Sequence, residues 1–304
     1  MLRRSRELFA DILRQTDLVL LALCAAASLF GVLMVASATR YMHTWRLVAV
    51  QSVALLLGVV LYLVISQIDL SDLCKYWKWI FLVGVVCILL LVTPLGIADN
   101  TGNRAWLDFP FLPVKVQPAE IVKLTLTLVL AKQLVWLKEN RNLSSIPSVL
   151  FLAAHLGVIF VLYYKVSSDM GSALVFLFIF ACMCFVGGVA LRWFLLGGLV
   201  GGLAFWAMWD LNKIPSYMKL RFQVLFDHSL DPQDTGWQQT RSLMALGSGK
   251  LTGQGLFHGT QTQSEYSSAL PNRHTDFIFT VIGEELGLLG CILTLALLTA
   301  IIVR

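Results

Sequence analysis

The chain has 304 residues, of which 58% are hydrophobic and 13% are charged, and its formal net charge is +5. Soluble domains contain about 25% charged residues, so this composition excludes an ordinary soluble protein, a disordered chain and a small disulfide scaffold. The 23 Lys and Arg residues are scattered between apolar blocks. This pattern argues against nucleic acid as a partner and favours a role in membrane orientation.

Eight apolar blocks follow one another along the chain, each close to the roughly 20 residues that a helix needs to cross a bilayer core. The sequence therefore predicts an all-α fold, a polytopic transmembrane helix bundle formed by a single integral membrane domain over residues 1–304. The predicted spans are 17–39, 46–67, 77–93, 119–136, 147–164, 170–189, 194–209 and 277–303. The first block follows basic residues, as a signal peptide does, but it exceeds the usual signal core of about 7–15 residues and is predicted as a span.

The distribution of Lys and Arg predicts the orientation of these spans. With the N-terminus in the cytoplasm, most basic residues of the short connections lie on the cytoplasmic side. Two loops then face the extracytoplasmic side, a medium one at 94–118 and a long one at 211–275. Structureless loops as long as the second are usually functional, so we predict the working surface on that side.

A carboxylate stands where the long loop meets the last apolar block, in the stretch PNRHTDFIFTVIGEELG. Asp276 would lie at the first turn of span eight, where a helix N-terminus favours negative charge and water-borne substrate is within reach. A helix cap by Thr275 or Asp276 would suit the same position, and spacing alone leaves both interpretations open. Further along, Thr280, Gly283 and Gly287 fall on much the same face and predict a close helix contact.

Other carboxylates and a lysine fall inside spans or at their mouths, where insertion costs about 2.5–3.5 kcal/mol without a partner or a wet cavity. Glu284 and Glu285 lie about two turns into span eight, and the simpler interpretation is a structural pair with a Lys or Arg of a neighbouring helix. Glu120 and Lys123 follow Pro118 at i,i+3 spacing on one helix face and can pair. Either a structural bridge or a lined cavity would account for this pair.

Shorter connections offer further candidates. Arg104 and Trp106 in the medium loop provide a cation and an amphipathic ring at headgroup level, suited to a lipid phosphate or to an interfacial aromatic belt. Asp169 stands in the turn between spans five and six, where it can cap span six or face a shared cavity. His258 and His274 are too far apart in sequence to predict a metal site.

Several of these segments together resemble the SEDS family (shape, elongation, division and sporulation), the bacterial membrane glycosyltransferases of peptidoglycan synthesis. The similar stretches, in the family's order, are QPAEIVKL, SSDMGSALV, YMKLRFQVLF, GWQQTRSLMALGSGKLTGQGLFHGTQTQ and RHTDFIFTVIGEELG. HGTQTQ together with RHTDF resembles the elongation member RodA more than the division member FtsW. The resemblance spans nearly the whole chain.

Some features depart from the family pattern. Family members have about ten spans, so a chain with eight is expected to be truncated at its C-terminus. Where the family has G-A-x-R-W, this sequence has G-N-R-A-W, which displaces Arg104 by one position. The segment that corresponds to the family's Q-P-D-L-G-T-A keeps Asp169 and the glycine but lacks the proline.

The resemblance implies a reaction that joins lipid-linked disaccharides of the lipid II type, with polyprenyl diphosphate as the leaving group. It makes Asp276 the catalytic carboxylate, supported in a central cavity by Glu120, Lys123 and Asp169. The residues expected to bind substrate are Arg104, Trp106, Arg241, Arg273, His274 and Glu284. A divalent cation, Mg²⁺ or Mn²⁺, would bridge Asp276 and the diphosphate, although the sequence shows no ligand cluster that fixes it.

The implied partner is a class B penicillin-binding protein, the transpeptidase that crosslinks the new strand. The implied location is the bacterial cytoplasmic membrane, where membrane lipid surrounds the protein and the active face is extracytoplasmic. Two alternatives stay open, a flippase for lipid-linked precursors and a scaffold that recruits partner enzymes. Charged residues within spans would suit a transport path, but the sequence shows no pair of interrupted helices that would mark inverted repeats.

Overall fold

The computed structural model describes residues 16–98, 103–110, 114–214, 216–231, 235–266 and 268–304. Four basic residues behind the predicted orientation lie outside the described residues, namely Arg3, Arg4, Arg6 and Arg14. The chain divides into two compact units, which we call the first unit (Met1–Ile68 with Asn212–Arg304) and the second unit (Asp69–Leu211).

Helices account for most of the described residues. In chain order they are α1 (Leu18–Thr39), α2 (Arg46–Ile65), α3 (Leu70–Leu73), α4 (Trp77–Leu90), α5 (Pro118–Asn140), α6 (Ile146–Ser167), α7 (Met170–Gly187), α8 (Leu191–Asp210), α9 (Ser216–Val224), α10 (Thr235–Ser248) and α11 (Ile278–Val303). Single 3₁₀ turns occur at Arg40–Met42, Cys74–Tyr76 and His228–Leu230. Two short strands, β1 (Gly96–Ile97) and β2 (Trp106–Leu107), form an antiparallel pair.

Seven of the described helical segments are long and apolar enough to cross a membrane, which confirms the predicted all-α polytopic fold. They are Leu18–Met42, Arg46–Ile65, Leu70–Leu90, Ile146–Ser167, Met170–Gly187, Leu191–Asp210 and Ile278–Val303. The remaining predicted span, 119–136, lies within the 23-residue helix α5. This helix is more polar than the seven membrane-length segments because it carries Glu120, Lys123, Lys132, Lys138 and Glu139.

The first unit packs α11 against α1 and α10. Its core consists of Met34, Ala38, Ala245, Leu270, Val281 and Ile282. Asp17 caps α1, since its side chain accepts hydrogen bonds from Val19 N (3.1 Å) and Leu20 N (3.0 Å). The other oxygen of Asp17 pairs with Arg304 Nε at 3.0 Å. These contacts hold the beginning of α1 beside the end of α11.

Helix α11 is interrupted at Gly287, whose φ of 67° and ψ of −161° lie outside the helical region. A break within a bilayer needs partners for the freed backbone groups, because no water is present there. The segment between α10 and α11 supplies them. The bonds are Gln254 N to Glu284 O, Gly255 N to Glu285 O, Leu288 N to Lys250 O and Leu289 N to Leu251 O, at 2.9–3.2 Å.

Glycines make this approach possible. A Cβ atom at Gly287 would overlap Gly253 N, and one at Gly283 would overlap the Leu246 side chain of α10. Thr280, on the same face, lies 2.5 Å from the hydroxyl of Ser242 in α10. The close contact predicted for this face of span eight is therefore confirmed.

The second unit packs α4 and α5 together with α6 and α7. Ile88, Leu126, Ile159, Tyr163 and Phe176 belong to its largest buried cluster. A Cβ atom at Gly84 would lie 2.5 Å from Thr125 Oγ1, so α4 and α5 approach closely there. The hairpin β1–β2 lies in the medium loop between these two helices.

Candidate functional site

Asp276 lies just before α11, in a turn that is closed by backbone hydrogen bonds to Asn272. The carbonyl of Asn272 accepts hydrogen bonds from Thr275 N (3.1 Å) and Phe277 N (3.2 Å). Phe277 is the N-cap residue of α11, without a side-chain hydrogen bond, so neither Thr275 nor Asp276 caps the helix. The Asp276 side chain is exposed, and no described residue forms a hydrogen bond or ion pair with it. The capping interpretation was wrong, and the carboxylate is available to a ligand.

His274 lies beside Asp276 and is half-buried. Burial lowers the pKa of its imidazole, and the positive charge of Arg273 lowers it further, whereas the Asp276 carboxylate raises it. His274 Nδ1 is buried without a hydrogen-bond partner among the described residues. This imidazole is therefore neutral more readily than an exposed histidine, and its charge state is coupled to Asp276.

Glu284 fixes the loop from the helix side. Its side chain is fully buried. One oxygen accepts from Gln261 N (2.7 Å) and the Thr260 hydroxyl (3.2 Å), and the other accepts from Thr262 N (2.9 Å) and the Thr262 hydroxyl (2.6 Å). These groups already occupy both carboxylate oxygens. Glu284 therefore holds the loop and is not accessible to a substrate, contrary to the predicted binding role.

Arg273 fixes the same loop from the other side and is 1% exposed. Its guanidinium donates to the backbone carbonyls of Gln261, Thr262, Ser264 and Tyr266. Its Cζ also lies 3.5 Å from the ring centroid of Tyr41. Arg273 therefore anchors the segment that carries Asp276. Its Nη1 and Nη2 atoms donate to the loop, and its Nε atom is buried without a hydrogen-bond partner among the described residues, so the guanidinium is not exposed to a diphosphate.

Glu285 is the second fully buried carboxylate. The Ser37 hydroxyl of α1 lies 2.6 and 2.8 Å from its two oxygens, Gln263 Nε2 donates at 2.8 Å, and Phe257 N donates at 3.1 Å. The predicted ion pair of Glu284 or Glu285 with a Lys or Arg of a neighbouring helix does not occur among the described residues. Backbone N–H groups, hydroxyls and an amide satisfy these carboxylates instead.

Arg241 projects from α10 in the first unit and is half-buried. Its Cζ lies 4.3 Å above the ring centroid of Trp237, one turn earlier on the same helix. Its Nε atom has no hydrogen-bond partner among the described residues. Arg241 is therefore the more accessible of the two arginines of the first unit that were predicted to bind substrate, since Arg273 is buried.

In the second unit, Glu120 and Lys123 pair as predicted. Lys123 Nζ lies 2.7 Å from Glu120 Oε2, and the Glu120 side chain is 63% exposed. Both residues lie near the first turn of α5, which begins at Pro118. An ion pair exposed to this extent contributes only a few tenths of a kcal/mol to 1 kcal/mol.

Asp169 caps α7, one of the two roles that its spacing allowed. Its carboxylate accepts from Ser172 N (3.3 Å) and the Ser172 hydroxyl (2.6 Å). Tyr163 Oη donates to it at 3.1 Å, and Gln117 Nε2 lies 3.5 Å away. Asp169 thus ties α6 and the start of α5 to the beginning of α7.

Arg104 and Trp106 lie in the hairpin region of the second unit, and both are half-buried. Arg104 Nε donates to Gly96 O at 3.0 Å, and its Nη2 donates to Thr93 O at 3.2 Å. Trp106 is paired with Ile97 in the hairpin. Two of the Arg104 donors therefore stabilise the loop after α4.

No group of three or more His, Cys, Asp and Glu side chains among the described residues is arranged to hold a metal ion. Asp276 is the only Asp or Glu within residues 268–277, and its charge acts on His274. The residues therefore do not form a metal site built by protein ligands alone, and the bridging cation stays a prediction.

Sequence reasoning missed the partners that give the loop its shape. Ser37 lies within an apolar span and Gln263 within a polar loop, and neither has a motif that points to Glu285. The break at Gly287 was also missed, because the apolar pattern continues through it. The two adjacent carboxylates in an apolar helix were the available signal, since such groups require partners.

Relatives of known name match most of this chain. The peptidoglycan glycosyltransferase MrdB of Escherichia coli strain K12 is 34% identical over 252 residues, which cover 82% of this chain and 64% of MrdB. The probable peptidoglycan glycosyltransferase FtsW of Geobacter metallireducens is 33% identical over 298 residues, which cover 95% of this chain and 76% of that protein. The chain thus spans just under two thirds of the length of MrdB.

A solved structure, reported under the heading "Structural coordination of polymerization and crosslinking by a peptidoglycan synthase complex", has a similar fold. The TM-score is 0.75 and the identity 27%, over 95% of this chain and 76% of the other. Similarity to both MrdB and FtsW at nearly equal identity leaves the distinction between an elongation and a division member a prediction.

The family of cell cycle proteins that comprises FtsW, RodA and SpoVE matches residues 15–304. Together with the seven apolar helices, this match identifies a multi-pass bacterial membrane protein. The predicted resemblance is thereby confirmed, and the chain belongs to the FtsW/RodA/SpoVE family.

Proposed function

We propose that this protein is a peptidoglycan glycosyltransferase that polymerises lipid-linked disaccharides of the lipid II type, with Asp276 as the general base. The observation that carries the proposal is the state of this carboxylate. It is exposed, it caps no helix, and it stands on a turn anchored by the buried Arg273. The relatives of this protein, MrdB and FtsW, are named as peptidoglycan glycosyltransferases, which supports the same reaction class.

In the proposed reaction, Asp276 accepts the proton of an acceptor sugar hydroxyl. The oxygen of that hydroxyl forms a bond to the anomeric carbon of the donor sugar, and the bond from this carbon to the diphosphate oxygen breaks. The lipid diphosphate leaves with the electron pair of the broken bond. A diphosphate leaves well when cations meet its charge, so the chain has to supply position, a base and positive charge.

The cations differ in how well they suit this role. Arg241 is half-buried, whereas Arg273 is buried, and its guanidinium forms no hydrogen bond or ion pair with a described residue, so it is the favoured diphosphate ligand of the first unit. Arg273 is committed to loop carbonyls, so we assign it to positioning the turn of Asp276. Contacts of Lys123 and Arg104 with the substrate stay predictions. The support of Asp276 by Glu120 and Lys123 also stays a prediction.

A flippase is the rival function, and one finding bears on it. The sequence showed no pair of interrupted helices, which counted against transport, and the structure adds one interrupted helix, α11, which is broken at Gly287. Interrupted helices in transporters expose backbone groups that bind ions or substrates. Here four of those groups, Glu284 O, Glu285 O, Leu288 N and Leu289 N, are bonded to the main chain of residues 250–255 and are not free for a ligand. The interruption therefore fits a rigid attachment of the loop better than a transport site.

The proposed partner is a class B penicillin-binding protein. A related structure is described as a synthase complex that coordinates polymerization with crosslinking, and a transpeptidase performs the crosslinking of new strands. The proposed setting is the bacterial cytoplasmic membrane, with the Asp276 loop on the extracytoplasmic side.

The test is a reconstituted reaction with the full-length protein, its partner and purified lipid-linked disaccharide. Glycan polymer should form, with one lipid diphosphate released for each bond. A flippase would move the lipid between leaflets without polymer, and a scaffold would do neither. Either of these two results would contradict the proposal.

A further inference from the structure

Two adjoining cavities open where α1 ends and α2 begins, in the first unit. One has a volume of about 430 Å³ and continues along the helices past Ala36, Trp45 and Val48. The other has a volume of about 360 Å³ and extends along the loop. Arg40, His43 and Phe257 line both cavities, so the two form one site. Because α1 and α2 are both long enough to span a membrane, the site lies at the membrane surface.

The site carries a cation without a counter-ion. Arg40 is exposed, and its Cζ lies 5.6 Å from the ring centroid of Phe257. None of the ion pairs among the described residues involves Arg40. A guanidinium on an aromatic ring at headgroup depth is suited to a phosphate.

Opposite charge lies in the loop half of the site. Glu265 and Gln263 line this cavity together with His258. His258 Nδ1 lies 2.8 Å from Leu256 O, and a carbonyl only accepts, so Nδ1 carries the hydrogen and Nε2 is left for a ligand. The cavity therefore offers a phosphate partner, Arg40, and an acceptor for a positively charged or hydrogen-donating group, Glu265.

The wall of the site is held in place from within the protein. Phe257 has a φ of 64°, a conformation that costs free energy for a residue with a Cβ atom. Its N–H donates to the buried Glu285 carboxylate at 3.1 Å, which stabilises this conformation. The ring beneath Arg40 is thus positioned by the same carboxylate that holds the loop.

A separate, mainly apolar groove lies between the same two helices. This third cavity has a volume of about 300 Å³. Its lining is apolar at Leu21, Ala25, Ala54, Leu55 and Gly58 and polar at Ser28, Gln51 and Tyr62. No residue of α2 is buried, so this groove faces the surroundings of the protein. An acyl chain is the apolar group that surrounds such a surface in a membrane.

We propose that this site binds a phospholipid whose phosphate pairs with Arg40 and whose headgroup amine donates to Glu265, with an acyl chain between α1 and α2. Phosphatidylethanolamine has this chemistry. Phosphatidylcholine has the same charges but no N–H donor, and phosphatidylglycerol has a net negative charge without an amine. The proposal does not depend on the glycosyltransferase activity, because it concerns lipid binding alone.

The experiment titrates the purified full chain in detergent with each of the three lipids and counts bound lipid by native mass spectrometry. We expect phosphatidylethanolamine to bind about threefold to tenfold more tightly than the other two. Arg40→Gln should weaken the binding of all three lipids. Glu265→Gln should remove the preference for phosphatidylethanolamine over phosphatidylcholine and leave the remaining binding intact.

Arg46→Gln is the matched control, since Arg46 is also exposed, begins α2 and lines neither cavity. Its binding should equal that of the unmodified chain. An equal loss with Arg46→Gln, tighter binding of phosphatidylglycerol than phosphatidylethanolamine, or unchanged binding with Arg40→Gln would overturn the proposal. Soluble glycerophosphoethanolamine at the same concentration should not displace the lipid, and displacement would assign the site to a free phosphate compound instead.

Discussion

The turn that carries Asp276 and the turn that is held by Glu284 belong to the same loop, yet their carboxylates have opposite surroundings. Glu284 is fully buried and accepts four hydrogen bonds from the loop. Asp276 is exposed and accepts none from any described residue. The comparison separates structure from chemistry, because a carboxylate with saturated oxygens shapes the backbone and one with free oxygens can bind a proton or a substrate.

The largest effect on stability is expected for Glu284→Gln. Both carboxylate oxygens accept from backbone N–H groups, so the amide would place its NH₂ group against a donor. The backbone N–H that faces the NH₂ group and one hydrogen of that NH₂ group would then lack acceptors. At about 1–3 kcal/mol for each buried donor, the free energy of unfolding should fall by about 2–6 kcal/mol. Thermal unfolding in detergent measures this loss.

Glu265→Gln is the control for this substitution, since Glu265 lies in the same loop and is exposed. Its unfolding temperature should stay close to that of the unmodified chain. Equal stability of the Glu284→Gln and Glu265→Gln variants would show that the four hydrogen bonds to Glu284 do not hold the loop.

Gly287→Ala should have the next largest effect. The φ of 67° disfavours any residue with a Cβ atom, and that atom would overlap Gly253 N and the Leu251 backbone. Strain and overlap together should lower the free energy of unfolding by about 2–4 kcal/mol. Gly31→Ala in α1 is the control, because no heavy atom lies within 4 Å of its added Cβ. A neutral Gly287→Ala variant would mean that α11 passes through this point as a continuous helix.

A smaller effect is expected at Asp169, where the role is a cap. Asp169→Ala should lower the free energy of unfolding by about 1 kcal/mol. Asp169→Asn should lose less, because Asn keeps the bond from Ser172 N while the hydroxyls of Ser172 and Tyr163 can turn to accept from its NH₂ group. Both changes are read from unfolding temperatures and from polymer yield. If Asp169→Asn abolished polymer while leaving the unfolding temperature unchanged, Asp169 would have a role in the reaction beyond the cap.

The smallest effect is expected for the pair of Glu120 and Lys123. Since the Glu120 side chain is 63% exposed, a double-mutant cycle on unfolding should give a coupling of about 0.2–1 kcal/mol. The cycle uses the unmodified chain, Glu120→Ala, Lys123→Ala and the double variant. The charge-swapped pair is measured beside it. A coupling of 3 kcal/mol or more, which a fully buried pair shows when one partner is lost, would mean that the pair is shielded in the membrane.

The fold was predictable where hydropathy alone decides it. Seven apolar blocks form helices near their predicted bounds, because a bilayer requires about 20 apolar residues for each crossing. The third crossing begins earlier than predicted, at Leu70, because α3 and a 3₁₀ turn precede α4. The block at 119–136 lies within α5, whose five charged residues make it less apolar than the seven other segments.

The candidate site was predictable in part. The position of Asp276 followed from the boundary between polar loop and apolar helix, and the pairing of Glu120 with Lys123 followed from their spacing. The roles of Glu284, Glu285 and Arg273 did not follow, since their partners lie elsewhere in the chain and include Ser37 of α1. Backbone N–H and carbonyl groups are their main partners, and a sequence carries no pattern for such contacts.

The contrast between Asp276 and Glu284 is tested most directly by glycan polymerisation with Asp276→Asn in the full-length protein. The amide takes no proton at neutral pH, so the rate should fall by about 10²–10⁴-fold. The unfolding temperature should stay unchanged, because Asp276 caps no helix. Asp227→Asn is the matched control, since Asp227 caps a 3₁₀ turn by accepting a hydrogen bond from Ser229 N at 3.0 Å. The Asp227→Asn variant should form polymer at the normal rate. Near-normal polymer from Asp276→Asn would contradict the assignment of Asp276 as the general base.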